Sequence, residues 1–314
     1  MSERRIVLGI DTSNYTTSAS LLYEDGELIA NIKYPLTVKE GERGLRQSDA
    51  VFSHTKNIPL IMRDIRTALG TREISAVGVS TRPRNVDGSY MPCFLSGVAA
   101  AESIAQILNV PLYEFSHQCG HVMAALYSSG RFDLLDGRKF VAFHVSGGTT
   151  EMLSVKADEN GFLTELLGGT ADLNAGQIID RIGVHIGLKF PAGPEIERLA
   201  LNNKEKIPKK KISIKNLTVN LSGLENMALK LYSDTQNKEL TSAFVLEYIA
   251  DSLIGLCSAY EEAFGKVDFV FAGGVMSNSI IKSKISEKFT ASFAEPMLSA
   301  DNAVGIAYLT ARKI

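Results

Sequence analysis

One succession of elements is written twice into this chain, and that repetition constrains its fold more than any single motif. In the first pass, "RIVLGIDTS" reads as an apolar strand running into small polar residues. The stretch "TTSASLLYEDGELIANIKYPL" then reads as a hairpin turning at Asp25-Gly26. A helix follows from about Ser48 to Leu69, stopped by Gly70. After it come a buried strand "ISAVGVST", a helix "SGVAAAESIAQILN", a strand "PLYEFSH" and a helix from near His117 to Gly130. The second pass opens with "KFVAFHVSGGTTEMLSVKADENGFLTEL", again three strands around two turns. Helices are expected around "NAGQIIDRIGVHIG" and "TSAFVLEYIADSLIGLCSAYEEAFG", then strand "DFVFAGG", helix "SNSIIKSKISEKF", strand "TASFAEP" and a last helix from "DNAVGIAYLTARK". The repeat is one of pattern, not of residue identity. It predicts an α/β protein of two related lobes with a cleft between them. The connector "SSGRFDLLDGRK" sets the lobes at residues 1–130 and 131–314.

Composition removes several function classes. A hydrophobic content of 45% with 22% charged residues is that of an ordinary globular protein rather than a disordered or fibrous one. A net charge of −2 gives no global basic field of the kind that marks a nucleic-acid binder, so any such surface must be local. The start, "MSERRIVLGID", reads as neither a signal peptide nor a span, and no later run reaches the ~18 unbroken apolar residues of a membrane helix. Cys93, Cys119 and Cys257 are odd in number and far apart, which suits a reducing cytoplasm and argues against a disulfide framework or a four-cysteine zinc site. The second lobe carries a lysine-rich insertion, expected to be helical, around residues 200–225. Its Lys204, Lys206, Lys209, Lys210, Lys211 and Lys215 form either a solvated surface or a positive lip for the phosphates of a polyanion.

Seven motifs carry candidate chemistry. "SHQCGH" sets His117 and His121 four positions apart, so on a helix both imidazoles face one way and can converge on an ion, with a further ligand needed from elsewhere. The alternative is a strand end and helix start with no metal. Each lobe opens with a turn of small residues between strands: "DTSNYTTS", with Asp11 and Ser13, and "HVSGGTTEM", with Val145, Ser146, Gly147 and Gly148. Such turns let backbone N–H groups and hydroxyls approach phosphate, and they also occur as plain tight hairpins. "FAGGVMSNS" joins a strand through Gly273 and Gly274 to a helix start at Ser277 or Asn278, either a nucleotide platform or a glycine turn needed for close packing. In "NAGQIIDR", Asp180 sits among Ile178, Ile179 and Ile182 and requires a partner; "FPAGPEIERLA" turns at Gly193 before a helix. Asp301, in "SADNAVGIAY", is either a helix cap or a metal carboxylate.

In this order the motifs resemble the family of tRNA threonylcarbamoyladenosine transferases, once described as O-sialoglycoprotein endopeptidases, of the actin/Hsp70/sugar-kinase superfold. The resemblance runs through "GIDTS", "NVPLYEFSHQCGH", "HVSGGTTEM", "NAGQIIDRIGVHIGLKFPAGPEIERLA", "LSGLEN", "FAGGVMSNS" and "SADNAVGIAY". It implies that His117, His121 and Asp301 bind one divalent metal, iron or zinc. It implies that Val145, Ser146, Gly147, Gly148, Asp180, Gly193 and Asn278 hold an adenine nucleotide. The implied reaction moves a threonylcarbamoyl group from threonylcarbamoyl-AMP to adenosine 37 of tRNAs that read ANN codons. Implied partners are tRNA and, in bacteria, a smaller paralogous subunit and an ATPase; no membrane is implied.

Three departures mark this chain. Thr149 stands where the family carries a histidine after "VSGG", Gln177 stands for a glutamate before the helix aspartate, and "TRPRNVDGSYMP" replaces a glycine-proline-glycine stretch. They keep open a second reading, a nucleotide-binding regulator or scaffold without turnover. A metallopeptidase of the HExxH kind is disfavoured, because Gln118 beside the first histidine cannot act as a general base.

Overall fold

The computed structural model describes residues 4–13, 15–37, 45–159, 161–299 and 302–314. Its strands in chain order are β1 (Ile6–Asp11), β2 (Thr16–Tyr23), β3 (Leu28–Pro35), β4 (Ile74–Arg82), β5 (Leu112–Ser116), β6 (Lys139–Val145), β7 (Thr150–Asp158), β8 (Gly161–Thr170), β9 (Ile214–Lys215), β10 (Thr218–Val219), β11 (Phe269–Ala272) and β12 (Ala291–Phe293). Its helices are α1 (Gln47–Leu69), α2 (Phe94–Leu108), α3 (His117–Ser129), α4 (Ala175–His185), α5 (Gly193–Asn202), α6 (Ser222–Thr235), α7 (Lys238–Phe264), α8 (Ser279–Ser286), α9 (Pro296–Ser299) and α10 (Val304–Ala311). They gather into two compact units.

The first unit comprises Met1–Asp136, Ala157–Leu163 and Met297–Ile314. Its mixed sheet has the order β3-β2-β1-β4-β5, with β1 antiparallel to β2 and parallel to β4. Alternation along β1 divides its side chains between two faces. Ile6, Leu8 and Ile10 pack with Ile61 and Ile65 of α1 and with Ala101 and Ala105 of α2. Val7 packs the other way, with Ala124 of α3 and with Val304 and Ala307 of α10. Gly9 shares that second face, and α10 lies so close that a Cβ there would be 2.6 Å from the Ala307 backbone nitrogen. Helix α10 also crosses α3 through small residues. A Cβ on Gly305 would stand 1.9 Å from the Gly120 carbonyl oxygen.

The second unit comprises Gly137–Lys156 and Thr164–Pro296. Its sheet order is β12-β11-β6-β7-β8-β10-β9, so β8-β7-β6-β11-β12 repeats the arrangement β3-β2-β1-β4-β5 of the first. The pattern repeat in the sequence is therefore a repeat of topology. Its core joins Val141, Phe143 and Val145 of β6 to Ile178, Ile179 and Ile182 of α4 and to Phe244, Val245 and Ile249 of α7. By length and apolarity α7 alone among the described helices is long enough to cross a membrane, but 78% of its most apolar window is buried inside the fold.

The lysine-rich insertion departs from expectation. Residues 203–213 carry neither helix nor strand, and they lead into the two-residue strands β9 and β10 before α6 begins at Ser222. Pro208 has no N–H to offer a helix, and three successive lysines repel one another. Ile207, Ile212 and Ile214 instead pin the extended segment to the core.

Candidate functional site

The histidine pair is set by the end of one strand and the start of one helix. Ser116 closes β5 and caps α3, its hydroxyl accepting the Cys119 N–H at 3.2 Å. His117 is then the first helical residue, with His121 one turn on. Their rings stand edge to face, with centroids 4.3 Å apart. Both are buried. His117 Nδ1 lies 2.9 Å from Oδ2 of Asp11, a fully buried carboxylate at the end of β1. Asp11 Oδ1 accepts the Ser13 N–H at 3.1 Å, and Oδ2 accepts the Ser13 hydroxyl at 2.9 Å. The Ser80 hydroxyl also donates to Oδ1. Parallel pairing of Ile10 with Val79 delivers Asp11 and Ser80 side by side.

Asp11 and Ser13, expected at a phosphate-binding turn, are thus joined to each other and to His117 within the first unit. Asp301, the expected third ligand, lies outside the described residues. Among the described residues no group of three or more histidine, cysteine, aspartate and glutamate side chains is gathered for a metal. Two adjacent imidazoles, one anchored by a carboxylate at Nδ1, are a donor set that suits a divalent ion of the iron or zinc type. Cys119 takes no part. Its thiol accepts from Asn85 Nδ2 at 3.1 Å and faces the Phe162 carbonyl, and burial pushes its pKa up.

In the second unit the nucleotide candidates cluster at the carboxyl ends of the parallel strands β6 and β11. The turn after β6 closes with the Ser146 N–H on the Thr149 carbonyl at 2.7 Å and the Gly148 N–H on the Ser146 hydroxyl at 3.3 Å. Helix α4 starts against it, with the Gly176 N–H on the Ser146 carbonyl at 3.2 Å. One helical turn beyond Gly176, Asp180 accepts the Ala192 N–H at 2.8 Å, beside Gly193. Burial holds the Asp180 carboxyl above its ordinary range, opposed by that hydrogen bond. On the β11 side, a Cβ at Gly273 would be 2.4 Å from the Val145 carbonyl oxygen, so this glycine lets the two turns touch. Asn278 caps α8 by accepting the Ile281 N–H at 3.1 Å, and Glu197 of α5 accepts the Ser279 N–H at 2.8 Å. A Cβ on Gly147, Gly148, Gly193 or Gly274 would meet nothing within 4 Å. Space stands open beside these four glycines, as a ligand cradle requires.

The departures now have structural settings. Gln177 accepts the Asn174 N–H at 3.1 Å and completes the capping box of α4. Thr149 lends its backbone carbonyl to the glycine turn. The "TRPRNVDGSYMP" segment braces α3, its Pro83 carbonyl accepting the Gln118 N–H at 3.0 Å and its Asn85 reaching Cys119 and the Phe162 carbonyl. Sequence reasoning missed Ser80. The one signal for it was its place at the end of a strand next to β1.

Comparison with known proteins agrees with the motifs. The TsaD family, tRNA N6-adenosine threonylcarbamoyltransferase, matches residues 27–308. A protein of that description from Methanopyrus kandleri is 28% identical over 311 residues, covering 96% of this chain and 86% of its own length. One from Thermosipho africanus is 29% identical over 317 residues, covering 96% and 92%. Among solved structures, T. kodakarensis HypF superposes with a TM-score of 0.61 at 12% identity, over 98% of this chain and 47% of that one. Component A of the Acidaminococcus fermentans (R)-2-hydroxyglutaryl-CoA dehydratase gives 0.56 at 13%, over 98% of both. These two likenesses show the fold alone, an actin-like pair of α/β lobes with mixed sheets. The match over most of the chain shows more: this protein belongs to the tRNA N6-adenosine threonylcarbamoyltransferase family.

Proposed function

We propose that this chain transfers a threonylcarbamoyl group from threonylcarbamoyl-adenylate to N6 of adenosine 37 in tRNAs reading ANN codons, releasing AMP. The observation that carries the reading is the pair of buried imidazoles at the head of α3, one turn apart with ring centroids 4.3 Å from each other, in a chain of this family. In the transfer, the N6 amine attacks the carbamoyl carbon, the bond from that carbon to the phosphate oxygen breaks, AMP leaves with the electron pair, and one N6 proton is released to solvent. His117, His121 and Asp301 would hold one divalent metal, iron or zinc. Bound there, it supplies Lewis acidity toward a carbonyl or phosphate oxygen.

The protein's own groups account for the rest. Backbone N–H groups of the Ser146–Gly148 turn are suited to the adenylate phosphate, where they favour the charge that develops on leaving. Asp180 and Asn278 are suited to the hydroxyls and edges of the nucleoside, and the open sides of Gly193 and Gly274 admit it. The exposed lysines of residues 204–215 are candidates for the tRNA backbone. The capping role of Gln177 supports turnover despite the lost glutamate, since the side chain at this position serves the helix end.

The test supplies purified protein with threonylcarbamoyl-adenylate and unmodified tRNA, and measures modified adenosine by mass spectrometry of digested tRNA. Modification by the wild type and a loss of at least about a hundredfold in His117→Ala or His121→Ala is the expected result. Stoichiometric metal and nucleotide binding without modification, in the presence of the smaller paralogue and the ATPase, would overturn it in favour of a nucleotide-binding regulator.

A further inference from the structure

We infer that Asp11 is a positioning residue for the metal pair: held by Ser13 and Ser80, it fixes His117 with the proton on Nδ1 and the lone pair on Nε2. The inference rests on the metal reading above and deepens it.

Asp11 opens as a phosphate-turn candidate in the sequence, yet its carboxylate is fully buried and given over to protein donors. Oδ1 receives the Ser13 N–H and the Ser80 hydroxyl, while Oδ2 receives the Ser13 hydroxyl and stands 2.9 Å from His117 Nδ1. A buried carboxylate whose two oxygens already accept three protein donors serves as an acceptor toward the fourth group as well. The ring nitrogen facing it must therefore carry hydrogen. In a neutral imidazole that leaves the lone pair on the opposite nitrogen, the one a metal would take. A carboxylate behind a ligating histidine also raises the basicity of the ring and holds its plane.

The three serine contacts matter because they remove the carboxylate's freedom. Ser13 grips it from the turn after β1, and Ser80 grips it from the end of β4, so Asp11 cannot swing away from His117 without breaking bonds on two elements. The chain places this arrangement 106 positions apart in sequence, between β1 and α3.

Asp11→Asn is the discriminating change. An amide can turn its NH2 toward Nδ1, which then has to accept, and the proton moves to Nε2. Zinc and cobalt(II) affinities of wild type and variant would be measured by competition with a chromophoric chelator, alongside circular dichroism and thermal unfolding. The expected result is a 10–100-fold weaker affinity for both ions in a folded variant. Equal affinities in folded wild type and variant would overturn the inference while leaving the metal reading intact. A wild type that binds neither ion would instead overturn the metal reading. Should the variant fail to fold, long-range proton–nitrogen NMR of histidine-labelled, metal-free wild type decides the matter. His117 with hydrogen on Nδ1 supports the inference, and hydrogen on Nε2 overturns it.

Discussion

Asp180 is half-buried on α4, and burial holds its carboxyl above the ordinary range against the single N–H of Ala192 that favours its charge. A carboxyl raised on folding contributes stability that is complete below its unfolded pKa and is lost as pH rises through the folded value. At neutral pH the ionised group is therefore a burden to the ligand-free protein. Asp180→Asn keeps an oxygen for Ala192 and removes the charge. We expect it to raise the thermal midpoint near pH 7, with the advantage shrinking as the medium is acidified toward the carboxyl's titration. Calorimetry across pH checks this. The same change is expected to weaken adenine-nucleotide binding roughly 5–30-fold, the value of one charged hydrogen bond. At this scale sequence reasoning reached far where spacing does the work. Positions 117 and 121 share a helix face by arithmetic, and the imidazoles are neighbours for that reason. It could not reach the contact between Asp11 and His117, because only the tertiary packing of β1, β4 and α3 joins them.

Element boundaries followed their chemical punctuation. Helix α1 stops at Gly70, whose positive φ turns the chain while its N–H returns to the Arg66 carbonyl, and α3 stops at Gly130, a left-handed cap whose N–H reaches the Leu126 and Tyr127 carbonyls. Helix α6 escaped notice because only Leu224 and Ala228 of its fourteen residues are buried, too thin a stripe to stand out in a polar sequence. The crossing of α3 and α10 could not be foreseen either, since glycine at 120 and 305 reads as helix-weakening until the partner is known. Its energetic meaning is testable. Gly305→Ala would drive a methyl group into the Gly120 carbonyl, a backbone atom that cannot rotate away. We expect a loss of about 3 kcal/mol or more, measured by urea unfolding, because both helices must part to admit it. Gly223→Ala, where nothing stands within 4 Å of the added carbon, is the control and is expected to be neutral or slightly stabilising.

On the scale of the whole molecule, the duplication of sheet order explains why pattern alone foretold a two-lobed fold. The lysine segment is what the duplication does not explain. Its isoleucines hold it down, its lysines are exposed, and none joins an acid in an ion pair among the described residues. If it meets the tRNA backbone, replacing Lys209, Lys210 and Lys211 together by Gln is expected to lower the slope of log affinity against log salt by roughly 2 to 3. Nucleotide and metal binding would be unchanged, and filter binding over a salt series reads the difference.

The place of α10 has a consequence in time. It covers the second face of the sheet that begins with β1, yet it is made after every element of the second unit. During synthesis at about 5–20 residues per second, the sheet completed by β5 waits roughly ten to forty seconds before its cover emerges from the ribosome. Through that interval Val7, Leu22 and Ala76 lack the helix that shields them in the finished fold. The unit that is synthesised first is therefore the one that matures last, and the head of α3, with both imidazoles, acquires its final support only in that closing step.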